Sequence, residues 1–97
     1  MEKGGWVYIL TNRPRGVLYT GVTADLAARL KQHRSGKGSA FCKRYNIRQL
    51  VLAEHYPMLV EAITREKRIK EWQRAWKIRL IEESNPDWRD LHDDLLS

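Results

Sequence analysis

The chain has 97 residues, the size of one small domain, and we expect residues 1–97 to form a single domain without room for a second. Its 18 Lys and Arg residues outnumber the 12 Asp and Glu residues, and this net charge of +6 favours a polyanionic partner. A single cysteine, Cys42, excludes an internal disulfide and a cysteine-bound zinc ion, and we expect its side chain to be buried or half-buried. The N-terminal residues lack the apolar stretch of a signal peptide, and no segment has transmembrane length, so we expect a cytoplasmic protein without a membrane partner.

Two short apolar runs near the N-terminus, Trp6 to Leu10 and Val17 to Val22, are rich in aromatic and β-branched residues. Such runs are typical of strands that are covered on both faces. The segment between them, Asn12 to Gly16, contains the Asn, Pro and Gly residues that favour a turn. The two runs therefore predict a β-hairpin.

A helix is predicted directly after the hairpin. Thr23 is a suitable N-cap, and Asp25 would lie in the first turn, where a negative charge interacts well with the helix dipole. The helix is expected to run to about Arg34, because the Gly- and Ser-rich segment 35–39 predicts a loop.

The C-terminal half contains one more strand and a long helical region. The segment 41–47 is ambiguous, but Gln49 to Tyr56 predicts a third strand. Leu59 to Glu83 has a helical composition with a break near Trp72-Gln73, and Asn85-Pro86 ends it. A hairpin, a third strand and helices packed against them predict an α+β fold with one small sheet.

Two tyrosines are the first candidates for a functional site. If Thr11 pairs with Gly16 across the hairpin loop, Tyr8 lies directly opposite Tyr19 on one face of the sheet. Two neighbouring phenols are compatible with ordinary aromatic packing. That is the common role of Tyr in strands, and the functional alternative is that the two hydroxyls share a polar site on the sheet surface.

Arg29 and His33 are four residues apart and therefore lie on one side of the first helix. Leu26 and Leu30 flank His33, so both polar side chains point along the edge of the buried face. A cation and an imidazole in that position are suited to holding a phosphate and moving a proton. The structural alternative is an Arg that extends to solvent and a hydrogen-bonded, half-buried His.

Glu66 lies by angular position within the apolar stripe of the second long helix, which is formed by Leu59, Ala62, Ile63 and Ile69. A carboxylate in such a stripe is costly to bury unless it is paired or bound to a metal. Arg29 and Lys70 are both candidate ion-pair partners. A Mg²⁺ ion held by one carboxylate and several waters would satisfy Glu66 as well.

Other residues have mainly structural interpretations. Asn85 follows a helix, where Asn is often a left-handed cap, although it also suits a hydrogen-bonding role. The Trp72, Trp76 and Leu80 set recurs at helical spacing and predicts core packing, and Trp88 and Leu91 are expected to dock the polar tail. Exposed cations that we expect to contact nucleic-acid phosphates are Lys37, Lys43, Arg44, Lys67 and Lys70.

The candidate residues follow one another in a recognisable order: Trp6-Val7-Tyr8, Tyr19-Thr20-Gly21, Arg29, His33, Glu66 and Asn85. In this order the chain resembles the GIY-YIG endonuclease superfamily. It is similar in particular to the stand-alone, single-domain bacterial type related to the N-terminal nuclease domain of the excision-repair nuclease. Trp6, Val7 and Thr20 depart from the letters of the motif, whereas Gly21, the structural glycine, is kept.

The resemblance implies a three-stranded antiparallel sheet flanked by helices, and an endonuclease that hydrolyses phosphodiester bonds. It implies that Glu66 binds one Mg²⁺ or Mn²⁺ ion and that Arg29 clamps the scissile phosphate. The implied partner is nucleic acid, most naturally DNA, including structured or repair-intermediate DNA. A protein partner is compatible with this interpretation but is not identified by it.

The resemblance further implies that Tyr8 or Tyr19 positions or deprotonates the attacking water, a step that requires nearby cations. His33 would assist proton transfer or orient Tyr8, and Asn85 would brace the site from the C-terminal side. The alternative function is a nucleic-acid-binding module that keeps the nuclease fold but has no activity alone. Only turnover distinguishes these two functions.

Overall fold

The aromatic and β-branched runs form strands, and the Gly- and Pro-containing segments between elements form turns, in a computed structural model that describes residues 4–96. The residues outside this range are Met1 to Lys3 and Ser97. Met1 to Lys3 belong to the N-terminal segment in which we expect no signal peptide. The elements in chain order are β1 (Gly5–Thr11), β2 (Leu18–Thr23), α1 (Leu26–Arg34), α2 (Ala40–Arg44), β3 (Gln49–Tyr56), α3 (Leu59–Glu71), α4 (Arg74–Ser84) and α5 (His92–Leu96).

The three strands form one antiparallel sheet in the order β2-β1-β3. The predicted α+β class and the three-stranded sheet flanked by helices are therefore confirmed. β1 is the central strand, so its side chains alternate between two covered faces. This explains why its sequence is apolar at almost every position.

The predicted hairpin register is wrong by two residues. Strand pairing ends at Thr11 and Leu18, so Tyr8 lies opposite Gly21 rather than opposite Tyr19. The wider loop is stabilised by the Asn12 side chain, whose Oδ1 accepts a hydrogen bond of 3.0 Å from the backbone N–H of Val17. Because the shift is an even number of residues, the two tyrosines still share one face of the sheet.

Each face of the sheet has its own hydrophobic cluster. Val7 and Ile9 of β1 pack with buried residues of α3 and α4, together with Trp88, and this confirms that Trp88 docks the tail. On the opposite face, Tyr8 and Leu10 pack with Leu26, Leu30, Cys42 and Ile47. Cys42 is buried, as expected. The sheet thus separates an α3–α4 face from an α1–α2 face.

The N-cap of α1 differs from the prediction. Thr23 remains in β2, paired with Trp6, and Asp25 is the N-cap instead. Its side chain accepts a hydrogen bond of 3.1 Å from the backbone N–H of Ala28. The cap lies later in the chain because strand pairing holds Thr23 in an extended conformation.

The C-terminal helical region breaks as predicted, between Glu71 at the end of α3 and Arg74 at the start of α4. Trp72 and Leu80 pack against the core, but Trp76 is 53% exposed, so core packing is wrong for Trp76. Its indole meets Trp72 edge-on, at a centroid distance of 6.2 Å, on the outer side of the α3–α4 junction. Within residues 4–96, no helix is both long enough and apolar enough to span a bilayer.

Candidate functional site

Gly21 fixes the position of the first tyrosine. It lies opposite Tyr8 in the sheet, and a Cβ atom on Gly21 would lie only 2.5 Å from both Cζ and the hydroxyl oxygen of Tyr8. The absence of a side chain at Gly21 therefore makes room for the phenol end of Tyr8. Tyr8 is fully buried, whereas Tyr19, with its ring centroid 6.4 Å away, is half-buried.

His33 joins the two tyrosines from α1. Its Nε2 lies 3.4 Å from the hydroxyl oxygen of Tyr8, and its ring meets the ring of Tyr19 edge-on at 5.5 Å between centroids. The His33 side chain is buried, and its Nδ1 has no hydrogen-bond partner among the described residues. Gly38, in the loop after α1, lies against that nitrogen without room for a Cβ.

Arg29 lies one turn before His33 and is half-buried. Burial lowers the pKa of His33, and the positive charge of Arg29 lowers it further, so the imidazole is neutral at pH 7. Burial and the neighbouring Tyr19 raise the pKa of Tyr8 to about 12, although the charge and a hydrogen bond of Arg29 oppose that shift. Tyr8 therefore keeps its proton at neutral pH. The structure brings together Tyr8, Tyr19, Arg29 and His33 as the tyrosine–histidine cluster.

Glu66 is buried, as its place in the apolar stripe suggests, between the fully buried residues Ala62 and Ile69 on the same side of α3. Of the partners that the sequence left open, Lys70 makes the contact, with Nζ 2.9 Å from a Glu66 carboxylate oxygen. The apolar side of α3 packs on the face of the sheet opposite Tyr8, and the helix contacts both β1 and β2. Glu66 therefore lies on the helix that covers the opposite face, and within residues 4–96 its ion pair is with Lys70 and not with a residue of the tyrosine–histidine cluster.

The side chains around Glu66 provide few ligands for a metal ion. Within residues 4–96, no group of three or more His, Cys, Asp or Glu side chains could hold a metal ion. A single buried carboxylate fits Mg²⁺, which keeps several waters and is often bound by one or two carboxylates plus substrate phosphates. Glu66 is therefore suited to an ion that binds together with a nucleic-acid phosphate.

Asn85 uses its side chain to connect three parts of the backbone. Nδ2 donates hydrogen bonds of 3.2 Å to the carbonyl of Val51 and 2.9 Å to the carbonyl of Arg89, and Oδ1 accepts one of 3.0 Å from the N–H of Arg89. Its φ of −143° shows that the predicted left-handed cap is wrong. Asn85 holds the C-terminal segment against β3.

The candidate phosphate-binding cations Lys37, Lys43, Arg44, Lys67 and Lys70 are all exposed. They fall into two groups, one in α2 and the loop before it, the other on α3. The ambiguous segment 41–47 contains most of the short helix α2, and its Phe41 ring stacks on Tyr19 at 6.5 Å between centroids. Sequence reasoning missed Phe41, although two aromatic residues, Phe41 and Tyr45, flank a pair of basic residues in the sequence.

Comparison with known proteins identifies the family to which the chain belongs. The family described as the GIY-YIG catalytic domain matches residues 4–79, a range that contains the tyrosine–histidine cluster and Glu66. A UPF0213 protein from Aeromonas salmonicida is 38% identical over 88 residues, which cover 90% of this chain and 63% of that protein. The chain therefore spans somewhat less than two thirds of the length of that relative.

Two further similarities extend over most of both partners. A UPF0213 protein from Staphylococcus epidermidis is 40% identical over 68 residues, covering 70% of this chain and 83% of the relative. The solution NMR structure of a UPF0213 protein from Bacillus halodurans has a TM-score of 0.56 and 33% identity, and covers 90% of this chain and 92% of that one. The chain therefore belongs to the GIY-YIG catalytic-domain family, alongside the UPF0213 proteins, and this membership implies nuclease-type activity on a nucleic-acid substrate.

Proposed function

We propose that the protein is a metal-dependent endonuclease that hydrolyses phosphodiester bonds in DNA. The observation that carries the proposal is the tyrosine–histidine cluster, in which the Tyr8 hydroxyl lies 3.4 Å from His33 beside the half-buried cation Arg29. A buried phenol and imidazole beside a half-buried phenol and guanidinium are more than packing requires. It matches the needs of phosphoryl transfer, in which a phosphate must be held and a water must lose a proton.

Tyr19 is the tyrosine that we assign to the attacking water. Tyr8 is fully buried and its pKa is raised to about 12, so it neither reaches solvent nor gives up its proton easily. Tyr19 is half-buried and remains accessible from the surface. Its phenolate would accept a proton from water while the water oxygen bonds to phosphorus, and the bond to the leaving oxygen breaks with its electron pair going to that oxygen.

The remaining residues hold this arrangement in place. Arg29 binds the scissile phosphate and stabilises its developing negative charge. Tyr8 is a positioning residue that contacts His33, and the neutral His33 orients both tyrosine rings. Asn85 braces β3 through the carbonyl of Val51.

GIY-YIG nucleases are generally dependent on a divalent metal, and Glu66 is the residue that we assign to bind it. One Mg²⁺ or Mn²⁺ ion at this carboxylate would supply charge stabilisation to a nucleic-acid phosphate. Lys70 now neutralises the carboxylate across one helical turn and would be displaced or shared when the ion binds. A cytoplasmic location, where DNA is accessible, is part of the same proposal.

The test is cleavage of labelled single-stranded, duplex and branched DNA in Mg²⁺ and in Mn²⁺. Wild-type cleavage should require the metal, and Glu66→Gln and Tyr19→Phe should each reduce the rate by about 100-fold or more. Glu71→Gln is the matched control, because it makes the same substitution at an exposed carboxylate of the same helix.

The Glu71→Gln variant should keep most of its activity. Equal losses in Glu71→Gln and Glu66→Gln would mean that the loss of any negative charge on α3, and not the loss of a metal ligand, lowers the activity. Binding of all three DNA forms without any cleavage would contradict the enzyme and leave the alternative function, a nucleic-acid-binding module.

A further inference from the structure

The short helix α2 leaves two aromatic rings exposed beside the tyrosine–histidine cluster. It buries Cys42 against the sheet, but Phe41 is 45% exposed and Tyr45 is 41% exposed. The two rings are adjacent, and contiguous exposed apolar surface is a feature of interaction sites. We refer to Phe41 and Tyr45 as the α2 platform.

The α2 platform continues the series of rings that begins at the site. Phe41 stacks on Tyr19 with an interplanar angle of 29°, and the ring of Tyr45 lies 4.9 Å from that of Phe41. The guanidinium of Arg44 then lies 5.5 Å from the centre of the Tyr45 ring. Aromatic surface therefore leads without interruption from Tyr19, the proposed base, to the outside of the molecule.

The charge around the platform has a single sign along the chain. Between Asp25 and Glu54 the sequence contains seven Lys and Arg residues and no Asp or Glu. Lys43 and Arg44 lie between the two rings in the chain, Lys37 lies four residues before Phe41, and all three cations are exposed. Flat aromatic faces within a positive surface are complementary to a strand that presents both phosphates and free base faces.

Exposed aromatic surface elsewhere on the molecule is not surrounded by positive charge alone. Trp76 is 53% exposed, but it shares a shallow pocket with both Arg79 and Glu83, which form an ion pair of 3.8 Å. The charges around Trp76 are therefore mixed. Trp76 provides a matched control for loss of exposed aromatic surface.

We infer that the α2 platform stacks an unpaired base of single-stranded DNA and thereby places the adjoining phosphate at the tyrosine–histidine cluster. This inference rests on the proposed function and adds the substrate class to it. A duplex keeps its base faces covered by neighbouring pairs, so it cannot use the platform without being opened. The platform would therefore select single strands, or the single-stranded part of a branched DNA.

Binding measured without divalent metal separates this inference from catalysis. Fluorescence anisotropy in EDTA would compare a labelled single strand, the same sequence as a duplex, and a single strand with abasic sites in its centre. The variants are the double variant Phe41→Ala/Tyr45→Ala, the ring-preserving double variant Phe41→Tyr/Tyr45→Phe, and Trp76→Ala. Circular dichroism would show that each variant is folded.

The alanine double variant should bind the single strand at least about fivefold more weakly and bind the duplex within about twofold of the wild type. The ring-preserving variant and Trp76→Ala should bind both like the wild type, and the abasic strand should be insensitive to the alanine substitutions. An equal loss of affinity for single strand and duplex would contradict the proposed role of the α2 platform. An equal loss of single-strand affinity in Trp76→Ala would contradict it as well. If the wild type cleaves DNA but the alanine double variant binds the single strand like the wild type, the proposed nuclease stands and this inference is contradicted. If the alanine substitutions weaken single-strand binding selectively but the wild type cleaves no DNA, this inference stands and the proposed nuclease is contradicted.

Discussion

His33 is the residue whose environment is most demanding. It is buried with Nδ1 unpartnered among the described residues, it contacts the Tyr8 hydroxyl, and it lies one helical turn from a positive charge. Burial and the neighbouring charge both disfavour a second proton on the imidazole. His33 is therefore neutral and buried at the position where its ring contacts both tyrosines.

The low pKa of His33 predicts a specific dependence of stability on pH. The unfolded chain binds a proton at His33 below a pH of about 6.5, whereas the folded protein resists it, so stability is complete above that pH and is lost as pH falls towards the lowered pKa. Urea unfolding at pH 5 and pH 7 should therefore show a smaller difference in His33→Gln than in the wild type. The exposed His55 supplies the control, His55→Gln. The same pH difference in wild type and His33→Gln would contradict the assignment.

At the scale of elements, the site depends on how β3 is held against the C-terminal segment. Asn85 at the end of α4 bonds to Val51 of β3 and to Arg89, and the N–H of Leu91 donates a bond of 2.7 Å to the carbonyl of Leu50. Trp88 adds a buried ring to the same junction. These contacts stabilise the β3 edge of the sheet, whose central strand holds Tyr8.

Asn85→Ala should therefore destabilise the fold, because it leaves two carbonyls and one N–H without their partner. We expect a loss of about 1–3 kcal/mol, measured by urea unfolding, and a lower Tm. Asn85→Asp is the sharper comparison, since it keeps the shape but replaces the donating Nδ2 with an acceptor that faces two carbonyls. An Asp variant as stable as the wild type would show that these hydrogen bonds do not hold the junction.

At the scale of the molecule, the dominant feature is an uneven distribution of charge. Between Asp25 and Glu54 the chain carries seven cations and no acid, and Asp90 pairs with one of them, Arg34, at the end of α1. Helix α4 carries both signs and pairs Arg79 with Glu83 and Glu82 with Arg15. Only the first surface is suited to track a phosphate backbone. DNA should therefore contact the α1–α2 surface and not the α4 surface.

The salt dependence of DNA binding shows which cations contact phosphates, because its slope depends on the number of phosphate contacts. Lys43→Ala should reduce the slope of log K against log salt by about 0.7–0.9, because one phosphate contact is lost. Arg79→Ala removes the same charge from the mixed surface and should leave the slope unchanged. Equal changes in the two variants would show that the charge of the whole molecule, and not the α2 surface, determines binding.

The sequence by itself determined the strands, the long helices and the order of the candidate residues, because turn residues and apolar spacing act locally. It placed β3 at Gln49 to Tyr56 and the helix break after Glu71, as the structure has them. It also identified Glu66 as a carboxylate in an apolar stripe, and that residue is buried.

Only the tertiary structure decided which residues meet. The register that sets Tyr8 against Gly21 depends on the Asn12 loop and on packing with β3. The pairing of Glu66 with Lys70 rather than Arg29 depends on which face of the sheet α3 covers. The difference in exposure between Tyr8 and Tyr19, and the stacking of Phe41 on Tyr19, likewise arise from contacts between elements distant in the chain. Local propensity carries no information about such contacts, because they form only when the helices close over the sheet.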